Sequence, residues 1–293
     1  MGAVTADRVE RGFPHLDTVR AALTALYQRL SVDGVARHAT SVAPADVAVD
    51  DGEELYTAVQ RVAAALVAQL HLPQARVIVG FRAMEHAATV ELEAGPEYFV
   101  ELNARFKEHR RDIGAALAHE ITHVALHRLG LAFDGTRDNE VLTDTVATYL
   151  GAGWLLLDAF RQDALTSQKL GYLTPEEFGY VLAKRAEVFA EDPAVWFTSP
   201  QAYPAYTRGR QQAAADRRRP PLAAAGWAAR RRYAHDRRRA AAPSTALYRF
   251  EPGPPPRVSF PCPTCFQRVR LPASHGHLRA RCTVCASLLE CET

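Results

Sequence analysis

Residues 112–129 have the sequence DIGAALAHEITHVALHRL, which contains the most informative motif of the chain. The apolar residues of this stretch recur at spacings of three and four, which predicts a helix over this range. The helix carries an HExxH motif formed by His119, Glu120 and His123. Residues four apart lie on one face of a helix, so both imidazoles can bind the same metal ion. Glu120 lies beside them, where it could act as general base, and the pattern therefore predicts a catalytic zinc site.

A catalytic zinc site needs a third protein ligand and an open fourth position. His127 would place a third imidazole on the same helix, but side chains eight residues apart lie about 12 Å apart along the axis and cannot easily surround one ion. Glu140 is the better candidate, because it follows His123 by 17 residues and a second helix can then pack back against the first. Asp144 lies one turn after Glu140 and could accept a hydrogen bond from the outer nitrogen of a ligand histidine.

The two motifs together resemble those of the gluzincin metallopeptidases. Thermolysin-like gluzincins carry, after their HExxH helix, a segment similar to the Asn-Glu-x-x-Thr-Asp of residues 139–144. The resemblance covers roughly residues 76–160, and a compact HExxH core is shared with ImmA/IrrE-type proteins, some of which act in regulation. The resemblance implies the following roles: His119, His123 and Glu140 as zinc ligands, Glu120 as the base, and Asp144 as support for a ligand histidine.

Two further gluzincin features bear on the site. The predicted strand Tyr98 to Leu102 resembles the edge strand on which gluzincins hold extended substrates by β-augmentation. Gluzincins usually also have a downstream His, Tyr or Arg that stabilises the oxyanion, and the sequence does not choose among the candidates, which are Tyr172, Tyr180, Tyr203, Tyr206 and His235. The metzincins are excluded, because their longer motif requires Gly and His where this chain has Leu126 and Leu129.

The remaining patterns are typical of a mixed fold. Helical spacing predicts helices over Leu16 to Leu30, Glu53 to Leu70 and Asn139 to Phe160, and a capping box at Thr174 to Glu177 predicts the start of another. Shorter periods predict strands at Val77 to Val79, Ala88 to Leu92 and Tyr98 to Leu102, with a turn at Ala94 to Pro96. We therefore expect an α+β protein: a mostly helical zincin-like domain with a small sheet, plus a small C-terminal zinc-ribbon domain.

All five cysteines lie in the last 32 residues. Two CxxC pairs, Cys262 with Cys265 and Cys282 with Cys285, have the spacing of a tetrahedral structural zinc site and resemble zinc ribbons. The segments Gln267 to Leu271 and Leu278 to Arg281 could pair as strands between them. A module of this size needs the metal for folding. Three other residues remain open in role: His275 and His277 could substitute as ligands, and Cys291 is left over as a free thiol. A redox dithiol pair is the alternative, although thioredoxin-like sites have one CxxC in a βαβ setting.

The net charge of +2 hides an uneven distribution. Residues 1–207 carry a net charge of −10, residues 208–239 carry +9 and residues 240–293 carry +3. The segment 208–239 contains eleven arginines, with Trp227, Tyr233 and His235 among them. Such a segment is most often a solvated helix or linker, but it could instead dock on an acidic surface or bind nucleic acid through phosphates.

These patterns predict three regions: a zincin-like metallopeptidase domain with N-terminal helices over 1–205, an Arg/Ala/Pro-rich linker over 206–256, and a zinc ribbon over 257–293. The longest nearly apolar run, Thr145 to Leu157, is shorter than the roughly 20 residues that span a bilayer. The first residues lack the apolar core of a secretory signal. We therefore expect a cytoplasmic protein without a membrane partner, in a reducing compartment that suits free cysteines.

The sequence thus predicts a hydrolase: a zinc metallopeptidase that cleaves peptide bonds of a protein or peptide substrate, with a zinc ribbon for recruitment. Its expected cofactors are one catalytic and one structural Zn²⁺. The alternative is a non-proteolytic regulatory protein that retains a zincin fold and binds nucleic acid or protein through the Arg-rich segment and the ribbon.

Overall fold

The computed structural model describes residues 9–92, 97–162, 167–240, 247–273 and 276–293. The predicted turn at Ala94 to Pro96 and the candidate ligand His275 lie outside these residues. The fold is α+β, as the sequence predicts, with several helices, small sheets and a C-terminal strand region that carries the cysteines. No described helix combines the length and the apolar character that crossing a bilayer requires.

The chain divides into two compact units, the first formed by residues 1–22 and 35–210 and the second by residues 23–34 and 211–293. This division differs from the three regions expected from the sequence, because the Arg-rich stretch forms helices and part of it belongs to the same unit as the cysteines. The boundaries expected from the sequence, at 205/206 and 256/257, remain a prediction.

Helix α4, which carries the HExxH motif, is one of several helices of the first unit. They have these bounds: α1 Leu16–Ala36, α2 Pro44–Val47, α3 Leu55–Gln69, α4 Ile113–Leu129, α5 Thr136–Ala147, α6 Gly153–Asp158, α7 Pro175–Phe189 and α8 Ala202–Arg217, of which α1 and α8 extend into the second unit. Helix α4 is buried along most of its length and ends at Gly130, whose left-handed backbone (φ 58°) caps it. A Cβ on Gly114 would make ordinary van der Waals contact with Leu155 at 3.4 Å and with Val47 at 3.5 Å, so α6 and α2 pack directly against this part of α4.

The sheet of the first unit has the strand order β1–β3–β2, with β1 at Arg76–Arg82, β2 at Ala88–Val90 and β3 at Glu97–Asn103. Strand β1 runs parallel to β3 and β2 runs antiparallel to it. The expectation that Tyr98 to Leu102 forms an edge strand is therefore wrong, because β3 is hydrogen-bonded on both sides. Among the described residues β2 is the edge strand next to α4, and both contribute residues to one cleft.

The predicted helix from Asn139 to Phe160 is not continuous. It splits into α5 and α6 at a π-helical turn, Thr148–Ala152, in which Gly151 has a φ of 112° that favours glycine. Distant side chains accompany the break: Gln69 donates to the carbonyl of Leu150 at 2.8 Å, and Arg185 donates to that of Tyr149 at 2.8 Å. The local pattern shows only the helical period, so it could not reveal the break.

The capping box that the sequence predicts at Thr174 is present. The Thr174 hydroxyl accepts from the backbone N–H of Glu177 at 3.1 Å, and the Glu177 carboxylate accepts from the N–H of Thr174 at 3.0 Å. Helix α7 therefore begins at a fixed residue directly after the loop 169–173. Two very short strands precede that loop, β4 at Arg161–Gln162 and β5 at Ser167–Gln168.

The second unit contains helix α9 (Trp227–Arg239) and five strands: β6 Arg249–Glu251, β7 Arg257–Pro261, β8 Arg268–Pro272, β9 His277–Arg281 and β10 Leu288–Glu292. The pairing that the sequence predicts between the segments of β8 and β9 is wrong. Strand β8 pairs with β7 and β9 pairs with β10, both antiparallel, so each CxxC turn connects the strands of its own hairpin. Tyr233 of α9 packs with Phe250 and Val258 in a small apolar core.

Candidate metal centres

The structure brings three of the predicted ligands together in the first unit. His119 and His123 lie one turn apart on α4, and Glu140 faces them from α5. The Nε2 atoms of the two histidines are 3.1 Å apart, and Oε2 of Glu140 lies 3.0 Å from that of His119 and 3.3 Å from that of His123. Ligands about 2.0–2.1 Å from a tetrahedral zinc ion lie about 3.4 Å from one another, so these donors fit Zn²⁺ with a small expansion.

The charges at this centre also suit a cation. Burial disfavours the ionised carboxylate of Glu140, but hydrogen bonds from His119 and His123 outweigh it and lower the pKa of Glu140 to about 2. Burial likewise disfavours the imidazolium of His119, yet Asp144 and Glu140 raise the pKa of this histidine well above its usual value. The surrounding carboxylates therefore favour a positive charge at this centre, and a divalent cation could supply it.

Asp144 and Thr143 fix the orientation of the two imidazoles. Nδ1 of His119 donates to Oδ1 of the fully buried Asp144 at 2.7 Å. The Thr143 hydroxyl donates to the backbone carbonyl of Asn139 at 3.0 Å and can therefore accept from Nδ1 of His123, 3.3 Å away. With both Nδ1 protons held in this way, the Nε2 lone pairs face Glu140 and are available to a metal. This contact between Thr143 and His123 is not predicted by the sequence, although Thr143 belongs to the Asn-Glu-x-x-Thr-Asp motif.

A loop of residues 169–173 is attached to the other side of Asp144. Oδ2 of Asp144 accepts hydrogen bonds from the backbone N–H groups of Tyr172 and Leu173, the latter at 3.0 Å. Gly171 makes the close approach possible, since a Cβ there would lie 2.6 Å from Oδ2, and its φ of 82° favours glycine. Lys169 donates to the carbonyls of Tyr172 and Leu173 at 3.2 and 3.1 Å. The carboxylate of Asp144 therefore joins a predicted metal ligand to this loop.

The loop places Tyr172 beside the metal ligands. Its ring stacks on that of His119, with centroids 6.3 Å apart and an interplanar angle of 26°, and burial raises the pKa of its hydroxyl. Of the five oxyanion candidates, Tyr172 is the one that lines the cleft at this centre. Tyr180 and Tyr206 are buried, Tyr203 is exposed, and His235 belongs to the second unit.

The metal ligands open into a cleft of 440 Å³. Strand β2 forms one wall with Ala88 to Val90, helix α4 contributes Ala115 and Ala116, and Tyr172 forms another part of the lining. Glu120 also lines this cleft although only 8% of it is exposed, and burial raises the pKa of its carboxyl group. A carboxylate, three metal donors and a free strand edge therefore meet in one open space.

His127 is not part of this centre. Its side chain is exposed near the end of α4, and the cluster of donors within 4.8 Å of one another contains His119, His123 and Glu140. The structure thus places Glu140, and not His127, where a third ligand would have to lie.

The second centre lies in the second unit and consists of four buried thiols, those of Cys262, Cys265, Cys282 and Cys285. The Sγ atoms of Cys262 and Cys285 are 3.5 Å apart, as are those of Cys265 and Cys282. This distance is too long for a disulfide and close to the roughly 3.8 Å between thiolates on a tetrahedral zinc ion. The cluster could hold a metal ion, and it is consistent with a zinc ribbon.

The environment of the thiols favours metal binding. Hydrogen bonds from Cys262 and Cys265 lower the pKa of the Cys285 thiol to about 6, whereas hydrogen bonds within the cluster raise the pKa of Cys265. Four sulfurs that share protons in this way would release them to a divalent cation. His277 is exposed and lies outside the cluster, and Cys291 is a buried free thiol whose pKa burial raises to about 11.

No protein-family model matches the chain, and no curated protein or solved structure is significantly similar to it. The likeness to gluzincins therefore rests on the two sequence motifs alone.

Proposed function

We propose that this chain is a zinc-dependent metallopeptidase that hydrolyses peptide bonds of a protein or peptide substrate, with the four-cysteine module as a recruiting element. One observation supports the proposal above all others. The donor atoms of His119, His123 and Glu140 converge beside the carboxylate of Glu120, at the floor of a cleft with a free strand edge. A cytoplasmic location, with its reducing conditions, would suit the cysteine ligands of the second centre.

In this proposal the residues of the chain divide the work around the metal. His119, His123 and Glu140 hold the ion, while Asp144 and Thr143 fix the two rings. When bound, Zn²⁺ polarises the scissile carbonyl group and acidifies a water molecule. The carboxylate of Glu120 would accept a proton from the attacking water and later donate it to the leaving amine.

The walls of the cleft suit an extended peptide. Within the part of the chain that the structure describes, strand β2 pairs with no strand on the side away from β3, and a substrate strand could pair with that edge. Tyr172, whose ring stacks on that of His119, carries the hydroxyl that we assign to the oxyanion that forms at the substrate carbonyl.

The test is cleavage of a peptide library by the zinc-loaded protein, with the products identified by mass spectrometry. Glu120→Gln should keep both metal ions and abolish cleavage, because the amide cannot accept the proton. Glu108→Gln, at an exposed carboxylate outside the cleft lining, is the matched control and should cleave normally. Cleavage that survives in Glu120→Gln at the wild-type rate would overturn the proposal.

The alternative function, a regulatory binding protein that keeps a zincin fold, is favoured by one observation, the strong positive charge of residues 211–293. In such a protein, Glu120→Gln would bind the nucleic acid or protein partner as wild type does, and neither would cleave peptides. The two functions are not exclusive, because the charge and the candidate catalytic centre belong to different units.

A further inference from the structure

The second unit is strongly basic. Residues 211–293 contain 15 arginines, no lysine and five acidic residues, which gives a net charge of +10. Neither candidate metal centre explains this charge, because the ligands of both centres are histidine, glutamate or cysteine and none is an arginine. A field of this strength on a small unit indicates a polyanionic partner.

Four of the five acidic residues of this stretch have ion-pair or hydrogen-bond partners. Asp216 pairs with Arg219 at 3.0 Å, Glu251 with Arg270 at 2.9 Å, and Glu292 with Arg230. Asp236 accepts a hydrogen bond from the hydroxyl of Tyr248 at 3.0 Å. The charge of several arginines therefore stays uncompensated.

Helix α9 has an inner and an outer face. Tyr233 is buried on the inner face, and Arg230 and Arg237 lie one turn from it on the same side. The outer face carries exposed arginines at two places about 10 Å apart, two turns of helix: Arg231 and Arg232, then Arg238 and Arg239. None of these four has a carboxylate partner among the residues that the structure describes.

An exposed aromatic ring lies at the start of the same face. The side chain of Trp227 is 71% exposed, and the guanidinium of Arg231 lies over its ring at 5.2 Å from the centroid. Tryptophan is seldom left this open unless its ring contacts a partner. The indole and the four arginines form one surface, which we call the α9 outer face.

We propose that the α9 outer face binds single-stranded nucleic acid, with Arg231, Arg232, Arg238 and Arg239 contacting phosphates and Trp227 stacking on a base. The combination of a cationic strip with an open aromatic ring is the arrangement by which proteins hold single strands, whose bases are free to stack. A duplex could contact the arginines through its phosphates, but its paired bases would not be free to stack on the indole. A membrane surface would need several exposed apolar residues, and this face offers one.

The proposal does not rest on peptidase activity. It is tested with the full-length, zinc-loaded protein and fluorescent oligo(dT) and oligo(U) of about 20 nucleotides, by anisotropy at a series of salt concentrations. Both strands should bind, with an affinity that falls as salt rises. Because DNA and RNA share phosphate and base chemistry, the comparison of the two affinities tells which of them is the partner.

Two substitutions test the residues. Arg232→Gln with Arg239→Gln should lower the affinity about 10- to 30-fold at about 100 mM salt and reduce the salt slope by about 1.4, because two phosphate contacts are lost. Arg76→Gln with Arg82→Gln, two exposed arginines of the first unit, changes the net charge equally and should have little effect. Trp227→Ala should weaken binding at least fivefold and Trp227→Phe less, whereas Tyr203→Ala, at an exposed ring elsewhere, should be neutral.

Several results would overturn the proposal: no binding of either strand at about 100 mM salt, equal losses in the two double variants, or tighter binding of a duplex of the same length. Competition by polyglutamate as effective as that by oligo(dT) would also overturn it and would identify an acidic protein as the partner. Glu120→Gln should bind both strands like wild type, which separates this outcome from that of the peptidase proposal.

Discussion

Nδ1 of His119 and Oδ1 of Asp144 lie 2.7 Å apart, and the second oxygen of the same carboxylate holds the backbone of Tyr172 and Leu173. A single buried side chain therefore orients one predicted metal ligand and anchors the loop that brings Tyr172 over the cleft. The geometry makes Asp144 a positioning residue for both.

Asp144→Asn should lower zinc affinity at the first centre about 10- to 100-fold, because an amide cannot satisfy all three donors that face the carboxylate. Glu140→Ala should cost more, since it removes a ligand. His127→Ala should leave the affinity almost unchanged, because its side chain is exposed and outside the cluster. Competition with a chelator measures all three, and a loss of zinc in His127→Ala without a loss in Glu140→Ala would contradict this assignment.

Thr143→Val should lower zinc affinity about tenfold, because it removes the acceptor for Nδ1 of His123 while keeping the shape of the side chain. Thr143→Ser should retain most of the affinity. The matched control is Thr145→Val on the same helix, whose hydroxyl donates to the carbonyl of Val141 and touches no ligand. Equal zinc affinities for Thr143→Val and Thr145→Val would show that the hydroxyl of Thr143 does not orient His123.

The fold around α4 follows from local patterns to a large extent. The periods of α1, α3 and α4 and the capping box of α7 are visible in the sequence because each depends on residues within a few turns. The break at Thr148–Ala152 is not visible in the sequence, because its contacts come from the distant residues Gln69 and Arg185. The central position of β3 is not visible either, because it involves pairing with both flanking strands. A local period cannot contain such long-range partners.

The same distinction holds for the candidate site. The spacing of the HExxH motif and of Glu140 indicates the ligands, since helix geometry fixes which side chains share a face. The choice of Tyr172 among five candidates depends on Gly171, whose lack of a Cβ lets the loop reach Asp144. Nothing in the spacing of the five aromatic and imidazole side chains distinguishes them.

Gly171→Ala should destabilise the first unit by about 2–4 kcal/mol, the sum of backbone strain and of overpacking against Asp144. Gly135→Ala is the matched control, because its φ is also positive, 81°, but a Cβ there meets no atom within 4 Å. It should lose about 1–3 kcal/mol from backbone strain alone, because its φ of 81° with a ψ of 144° disfavours a side chain, and therefore less than Gly171→Ala. Urea unfolding measures both free energies, and equal losses would mean that the contact with Asp144 is not tight.

His38 should make stability depend on pH. Burial, with a smaller effect of His71, lowers the pKa of His38 from 6.5 to about 4 in the folded chain. Between these values the unfolded chain binds a proton that the folded chain does not, so stability is complete above pH 6.5 and falls towards pH 4. From pH 7.5 to 5 this residue should account for a loss of about 2 kcal/mol.

His38→Asn tests the effect, because the amide can still donate to the carbonyl of Gln69, 3.1 Å from Nδ1 of the histidine, but does not titrate. The difference in unfolding free energy between wild type and variant should shrink by about 2 kcal/mol over that pH range. His127→Asn is the control for the same substitution at an exposed histidine. A pH-independent difference for His38→Asn would contradict the predicted titration.

Metal analysis of the purified protein decides whether the chain carries a histidine–carboxylate zinc centre in addition to the four-cysteine centre. Wild type should hold about two zinc ions per chain, and His119→Ala or Glu140→Ala about one. Cys265→Ser should lose the other ion and keep the one bound at His119 and Glu140. About one equivalent of zinc in wild type, unchanged in His119→Ala, would show that His119, His123 and Glu140 do not hold a zinc ion.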